Sequence, residues 1–359
     1  MHYVGDRPCR PHVESGHRCT CIQFQEVKRR GVIIKLGAAG DVLRSTPLLR
    51  ALSPFATGTK ILWVTHSPEL MPAEACEAVR PTATTLARMR AVTWDFCWNL
   101  DKDPEACALA AMTKAAERRG YTLCDGVPHP VDKAAWHKFA TGIDDSYSRA
   151  NQQSYVEEIF DIVGLAYRKE EYWLCHPAPG AQTRASELIP KGSVVGLNIG
   201  AGKRWPSRIW PAEFWVELIK LLHDRGVAPV LLGGPEEVEM SARLVAETGC
   251  MASGVQPLEV FYAMIAQCQC VVTAVTMAMH LAIGARTPLV LLNNIFNPHE
   301  FELYGRGEVI GPPTQCDCYY GGVCRTGRQC INEILPATVC EAVLRRMQPA
   351  KNVENSSTV

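Results

Sequence analysis

An α/β fold built from two parallel-sheet lobes is predicted by three observations. Short apolar runs alternate with helical patterns along the whole chain. The alternation restarts after a stretch rich in Pro and Gly near the middle. Each half also opens on a strand that runs into a Gly-bearing turn, Lys35-Leu36-Gly37-Ala38-Ala39-Gly40-Asp41 in the first and Gly200-Ala201-Gly202-Lys203-Arg204-Trp205-Pro206 in the second. Short strands alternating with helices imply parallel sheets joined by right-handed crossovers. In open sheets of that kind ligands bind beyond the carboxyl ends of the strands. One of the two turns ends in a carboxylate and the other carries a cation.

Taken in order, residues 1–30 form a Cys-containing extension, and residues 31–175 a first Rossmann-like lobe. That lobe has strands at 32–36, 60–65 and 95–100 and helices at 42–52, 104–119 and 153–163. Residues 176–192 carry Pro177, Pro179, Gly180 and Pro190 and read as a linker. Residues 193–335 form a second Rossmann-like lobe, with strands at 194–199, 229–232, 271–273 and 289–292. Its helices are expected at 212–224, 236–248, 258–266 and 276–283, and a Cys-rich loop at 316–330. A closing helix at 336–350 is followed by a polar tail, 351–359, expected to be disordered.

The bulk numbers fit two soluble lobes. A length of 359 residues suggests about two domains. Lys+Arg and Asp+Glu both number 37, and no basic block stands out, which argues against nucleic acid as a partner. The first ten residues show no apolar segment of the secretory type, so a cytoplasmic location is expected. The longest apolar stretch, 271–292, is interrupted by His280, Arg286 and Pro288 and reads as buried core, leaving at most peripheral membrane contact.

Sixteen cysteines are many for such a chain. Nine are scattered (Cys76, Cys97, Cys107, Cys124, Cys175, Cys250, Cys268, Cys270 and Cys340) and read as small buried hydrophobes. Cys316, Cys318, Cys324 and Cys330 stand together in a Gly-rich loop with little apolar material to fold around, and four thiolates suit a structural zinc or iron. Cys9, His12, Cys19 and Cys21 form a similar group near the start.

The polar residues at the strand ends admit plain and functional readings. Asp41 follows Gly40 and precedes Val42-Leu43, which suits a helix cap, and on the residues alone the cap is preferred. Lys203 is either a solvated loop lysine or an ammonium held for a phosphate oxygen. Glu236 and Glu237 are either first-turn acids favoured by the helix dipole or acceptors for a ribose hydroxyl. Thr276 opens a helix whose N–H groups could hold a diphosphate, with His280 one turn in, though a lone His on an apolar helix usually belongs to the core. Asp101-Lys102-Asp103 reads as a strand-end turn.

Taken together these segments resemble glycosyltransferase family 9, the heptosyltransferase-like enzymes. The likeness is carried by residues 33–42 with Pro47-Leu48-Leu49-Arg50-Ala51-Leu52, by Lys203-Arg204-Trp205-Pro206 with Trp210, by Leu232-Gly233-Gly234-Pro235-Glu236, by Thr276 with His280-Leu281-Ala282, and by Thr287-Pro288. The resemblance implies a GT-B fold, two Rossmann-like lobes facing across a cleft. It implies inverting, metal-independent transfer of a sugar, typically heptose from ADP-heptose, to a lipopolysaccharide-type or other surface glycan. Asp41 would then be the base, Lys203 would meet the donor diphosphate with Gly40, Glu236 or Glu237 would meet the ribose, and Thr276 and His280 the diphosphate. No cofactor is implied for the chemistry. Val275 and Met277 stand where the family carries Asp and Gly. A lipid-linked or protein acceptor, a natural-product glycosyltransferase and an inactive nucleotide-sugar-binding protein are the alternative expectations.

Overall fold

The computed structural model describes residues 5, 7–18, 22, 25–202, 205–314, 318–324 and 327–347. The chain divides into two compact units, Met1–His176 and Pro177–Val359.

The first unit is a six-stranded sheet built from β1 (Arg29–Ile34), β2 (Thr59–Val64), β3 (Glu77–Val79), β4 (Trp94–Asn99), β5 (Ala115–Cys124) and β6 (Val127–Pro130). Their order is β3-β2-β1-β4-β5-β6, and only β5 and β6 pair antiparallel. The second unit repeats the scheme with β7 (Val194–Asn198), β8 (Ala228–Leu232), β9 (Met251–Ala252), β10 (Cys270–Ala274), β11 (Leu289–Leu292) and β12 (Gly307–Ile310), ordered β12-β11-β10-β7-β8-β9. Read from its other edge this is again third, second, first, fourth, fifth, sixth, and every pairing in it is parallel. Central parallel strands are covered on both faces and therefore read as unbroken apolar runs; Val32, Ile33 and Ile34, and all of β7, β10 and β11, are buried accordingly. In this order the chain reverses direction between β1 and β4 and between β7 and β10. Those are the two switch points where a ligand is expected.

Several boundaries differ from the sequence reading. The helix expected at 42–52 is two helices, Ala39–Leu43 and Pro47–Leu52, because Pro47 has no N–H to continue the first. Asp41 is therefore inside a first turn, with Ala38 at the cap position, and the cap reading of Asp41 is overturned. The helix expected at 104–119 ends at Met112, and its second half is the edge-ward strand β5. The stretch taken as a linker, 176–192, is largely a helix, Pro179–Leu188, started by Pro179. Ser186 and Gln182 tie it to Gln267 at the end of helix Leu258–Gln267. Seven of the nine scattered cysteines are buried, but Cys124 and Cys175 are exposed. Burial pushes the Cys97, Cys268 and Cys270 thiols up to about 12, as suits inert core residues.

The closing helix Pro336–Met347 packs Val339, Cys340, Ala342 and Val343 into the core of the second unit beside Val195, Leu218 and Trp215. The expected tail, 351–359, lies outside the described residues. Among the described residues no helix is long and apolar enough to cross a membrane.

Candidate active site

Each switch point carries its own cluster. In the first unit β1 runs out at Ile34 into Lys35, and β4 runs out at Asn99 into Asp101. The two side chains meet as a buried ion pair between Lys35 Nζ and Asp101 Oδ1. The other oxygen, Oδ2, accepts from the Leu36 and Gly37 N–H groups, the latter at 2.9 Å. Asn99 fixes this corner from below, donating to the Asp101 and Tyr121 carbonyls at 3.0 Å each while Asp101 N–H donates back to Asn99 Oδ1. Burial works against the charged form of Lys35, but Tyr155, Asp101 and Asp41 outweigh it and raise its pKa above the ordinary lysine range. The Asp-Lys-Asp turn is thus divided: Asp101 braces the β1 turn, and Asp103 caps helix Pro104–Met112 by accepting from Ala106 N–H at 3.0 Å.

Asp41 projects from the third position of helix Ala39–Leu43, one residue after Gly40. Arg44 Nη2 donates to its Oδ1 at 2.7 Å, and the carboxylate side chain keeps 35% of its surface exposed. A Cβ placed on Gly37 would sit 3.2 Å from Lys35 Nζ, 3.4 Å from Asp101 Oδ1 and 3.5 Å from Asp41 Oδ2, so the three charged groups crowd one small space over the turn. Lys102 is half-buried nearby and donates to the Lys138 carbonyl at 2.8 Å. Burial, and then the neighbouring Lys138 cation, bring its pKa down to about 8.

In the second unit β7 runs out at Asn198 and β10 at Ala274. Asn198 Nδ2 donates to Thr273 Oγ1 at 2.9 Å, to Thr276 Oγ1 at 3.2 Å and to the Gly200 carbonyl at 3.3 Å, so one amide ties both turns. Thr276 holds the cap position of helix Met277–Ala285, but its hydroxyl is turned to Asn198 and Thr273 and makes no cap bond. His280 is buried one turn in. Of the two glutamates Glu237 faces the site: its Oε2 accepts from Gly234 N–H at 2.8 Å, and its Oε1 would lie 2.6 Å from a Cβ on Gly200. Glycine at 200 is therefore required by close approach. Glu236 is exposed.

Lys203 lies outside the described residues. Among the described residues the cation at this switch point is Arg208, which the sequence reading passed over. It is 6% exposed and donates to the Val275 and Ala201 carbonyls, one on each turn. Its Nε has no hydrogen-bond partner, and among the described residues no carboxylate pairs with it. Burial lowers its pKa to about 10. A signal was present: Trp-Pro occurs twice, and it is the second, Trp210-Pro211, that leads directly into helix Ala212–His223. That puts Arg208, not Lys203, two residues before the helix-proximal Trp-Pro.

Below Arg208 lies the Cys-rich loop. Cys318, Cys324 and Cys330 line one small cavity with Ser207, Asn294, Ile295 and Gln329. Asn294 Nδ2 donates to Cys330 Sγ at 3.5 Å and to the Ser207 carbonyl at 2.9 Å. Among the described residues no group of three or more His, Cys, Asp or Glu is arranged to hold a metal ion, and Cys316 is not among them. Of the N-terminal group, Cys9 and His12 belong to helix Arg10–Ser15 and its cap, while Cys19 and Cys21 lie outside the described residues.

The model of glycosyltransferase family 9 (heptosyltransferase) matches residues 85–316. No curated protein matches the chain. Among solved structures, a glycosyltransferase of family 9 from Veillonella parvula is 18% identical and superposes with a TM-score of 0.68, over 90% of this chain and 98% of that one. The E. coli heptosyltransferase WaaC, with ADP-2-deoxy-2-fluoro heptose, is 19% identical with a TM-score of 0.59, over 88% of this chain and 99% of that one. The iron-containing dodecameric glycosyltransferase TibC of enterotoxigenic E. coli is 12% identical with a TM-score of 0.56, over 90% of this chain and 76% of that one. The fold is the GT-B arrangement of two Rossmann-like lobes that these proteins share.

Proposed function

We propose that this chain, which belongs to glycosyltransferase family 9, transfers heptose with inversion from ADP-heptose to a lipopolysaccharide-type or other surface glycan, acting in the cytoplasm. The observation that carries the donor half of this reading is Arg208, a buried cation tied across both turns of the second switch point without a carboxylate partner. A buried cation is stable only when paired, and a diphosphate is the partner its position suits. The uncapped N–H groups of helix Met277–Ala285 point the same way. Lys203 adds a second cation, and Glu237 accepts from the ribose in preference to the exposed Glu236.

In this reading Asp41 accepts the proton of the acceptor hydroxyl through a carboxylate oxygen. The oxygen of that hydroxyl forms the new bond to the anomeric carbon from the face opposite the diphosphate. The bond to the diphosphate breaks, and ADP leaves with the electron pair. Arg208, Lys203 and the helix N–H groups stabilise the charge that develops there. ADP is a good enough leaving group to need no general acid and no metal.

WaaC is a heptosyltransferase crystallised with an ADP-heptose analogue, which supports the choice of donor. A thermal-shift screen of nucleotide-diphosphate sugars tests it. At a hundredfold its Kd a true donor adds about 2.7 kcal/mol of stability. ADP-heptose should give the largest shift and release ADP on turnover. A shift for none of the sugars at millimolar concentration would overturn the reading.

The spacing of Cys316, Cys318, Cys324 and Cys330 in the sequence is the ground for reading a structural zinc or iron there, and TibC, which shares the fold, is iron-containing. The donor set is all sulfur, which suits a closed site and supplies nothing to the transfer step. Elemental analysis of protein purified without added metal should find close to one equivalent, and four titrating thiols with no metal would sink the assignment.

A further inference from the structure

The carboxylate of Asp41 is held by a chain of fixed groups. Arg44, one turn along, donates from Nη2 to Asp41 Oδ1 at 2.7 Å, and its own side chain is only 15% exposed. Its guanidinium carbon lies 3.4 Å from the centroid of the Tyr155 ring, a face-on stacking distance. A planar cation on an aromatic face has its position set by the ring. Tyr155 is itself immobilised. It is 5% exposed and begins helix Tyr155–Val163, whose start is locked by the reciprocal Ser154 and Glu157 capping box. Two further cations face the same ring, Lys138 Nζ at 4.6 Å and Lys35 Nζ at 5.9 Å.

Charge accounting singles out Arg44 among these cations. Lys35 is bound to Asp101, and Lys138 donates to Glu158 at 2.7 Å. On the neighbouring turn Pro68–Leu70 the one acid, Glu69, is engaged by Arg80 at 3.0 Å. Lys102 donates a hydrogen bond to the Lys138 carbonyl. Arg44 is in direct contact with Asp41 through Oδ1, and Asp41 Oδ2 lies 3.5 Å from a Cβ placed on Gly37.

We propose that Arg44, stacked on Tyr155, is the positioning residue for Asp41: it fixes the carboxylate in the orientation that meets the acceptor hydroxyl. The inference rests on reading Asp41 as the base and adds the device that presents it. An arginine beside a base weakens it as a proton acceptor, so the arrangement trades base strength for geometry.

The test follows the carboxyl-carbon resonance of Asp41 in 13C-aspartate-labelled protein, assigned by its loss in Asp41→Asn, alongside ADP release from ADP-heptose. Losing an opposite charge at hydrogen-bond distance shifts a partly exposed carboxylate by about one pH unit. Arg44→Met should therefore raise the Asp41 midpoint by about that much, and lower kcat at least tenfold with KM for ADP-heptose unchanged. Arg44→Gln serves if Arg44→Met does not fold. Tyr155→Leu keeps the charge but removes the platform, so kcat should fall with little movement of the midpoint. An unmoved midpoint or an undiminished kcat in the folded charge-loss variant overturns the proposal. Full ADP release by Asp41→Asn, with the midpoint still moved by Arg44→Met, would defeat the base reading and leave the pairing standing.

Discussion

Both lobes join the two turns of their switch point with a buried cation, and the two cations are in opposite electrostatic situations. Lys35 meets the carboxylate of Asp101, has Asp41 nearby, and is held firmly protonated. Arg208 meets the Ala201 and Val275 carbonyls and the face of the Phe296 ring, with no carboxylate partner among the described residues, and desolvation pulls its pKa down to about 10. The first arrangement is complete as it stands and serves to hold a turn still. The second leaves positive charge uncompensated in a buried place, a cost that an anionic ligand would offset. In the proposed function the first lobe presents the reacting group and the second receives the charge of the donor.

The largest test of that contrast is Asp41→Asn. The amide keeps size and shape but cannot take a proton, so transfer should fall by about 10²- to 10⁴-fold while ADP-heptose binding is retained. Turnover above a tenth of wild type would reduce Asp41 to an ordinary helix residue and remove the chemical half of the comparison. Next in size is Lys35→Met, which strands a buried carboxylate. Breaking such a pair costs about 3–5 kcal/mol, readable by urea denaturation, and a loss under about 1 kcal/mol would mean that Asp101 is held by its N–H donors alone.

Arg208→Met sharpens the contrast from the other side. Without ligand the substitution should cost less than Lys35→Met, since it also removes an unpaired buried charge. With ligand it should weaken ADP binding by about 1.5–3 kcal/mol, the value of hydrogen bonds to charged groups. Adenosine should bind both proteins equally. Undiminished ADP affinity would show that the second lobe does not await a diphosphate at Arg208.

The smallest effect concerns Lys102, whose pKa is depressed to about 8 by burial and by Lys138. Between about pH 8 and pH 10.4 the unfolded chain carries a proton on this amine that the folded chain lacks. Stability should therefore rise as the pH is raised through that window, and the gain is lost again below pH 8. Lys102→Met should flatten the rise, by on the order of 1 kcal/mol. An unchanged slope in thermal melts from pH 8 to pH 10 would show that the amine titrates normally.

How much of this was legible in the sequence follows from what each signal depends on. Central strands such as β7, β10 and β11 announced themselves because burial on both faces makes an unbroken apolar run. The strand β5 did not: it reads Ala-Ala-Glu-Arg-Arg-Gly-Tyr-Thr-Leu-Cys, its charges are satisfied by Asp132 and by carbonyls, and it was absorbed into the preceding helix. Asp41 and the Glu236-Glu237 pair drew notice from their place after strand-ending glycines, but the residues alone favoured a cap for Asp41 and did not choose between the two glutamates. Asp101 could not be given its role, because its partner Lys35 stands 66 residues away and only the β1–β4 pairing brings them together. Arg208 was passed over because the Trp-Pro pair occurs twice, and only the fold shows that the second leads into helix Ala212–His223. The pairing of Arg44 with Tyr155 joins residues from two separate helices and leaves no local trace.

The hairpin that ends the first sheet has a consequence of its own. β6 reads Val127-Pro128-His129-Pro130, and Val131 N–H donates inward to the Gly120 carbonyl at 2.8 Å. In an antiparallel pair the N–H groups alternate sides. Those of residues 127, 129 and 131 therefore point to β5, and those of 128 and 130 would point outward. Both outward positions are proline, which has no N–H to offer. The rim of the sheet thus exposes acceptors without donors, and another chain laid against it could not complete a ladder. The other rim, β3, is three residues long. The first sheet is in this way closed to strand addition at its β6 rim and offers little length for it at β3.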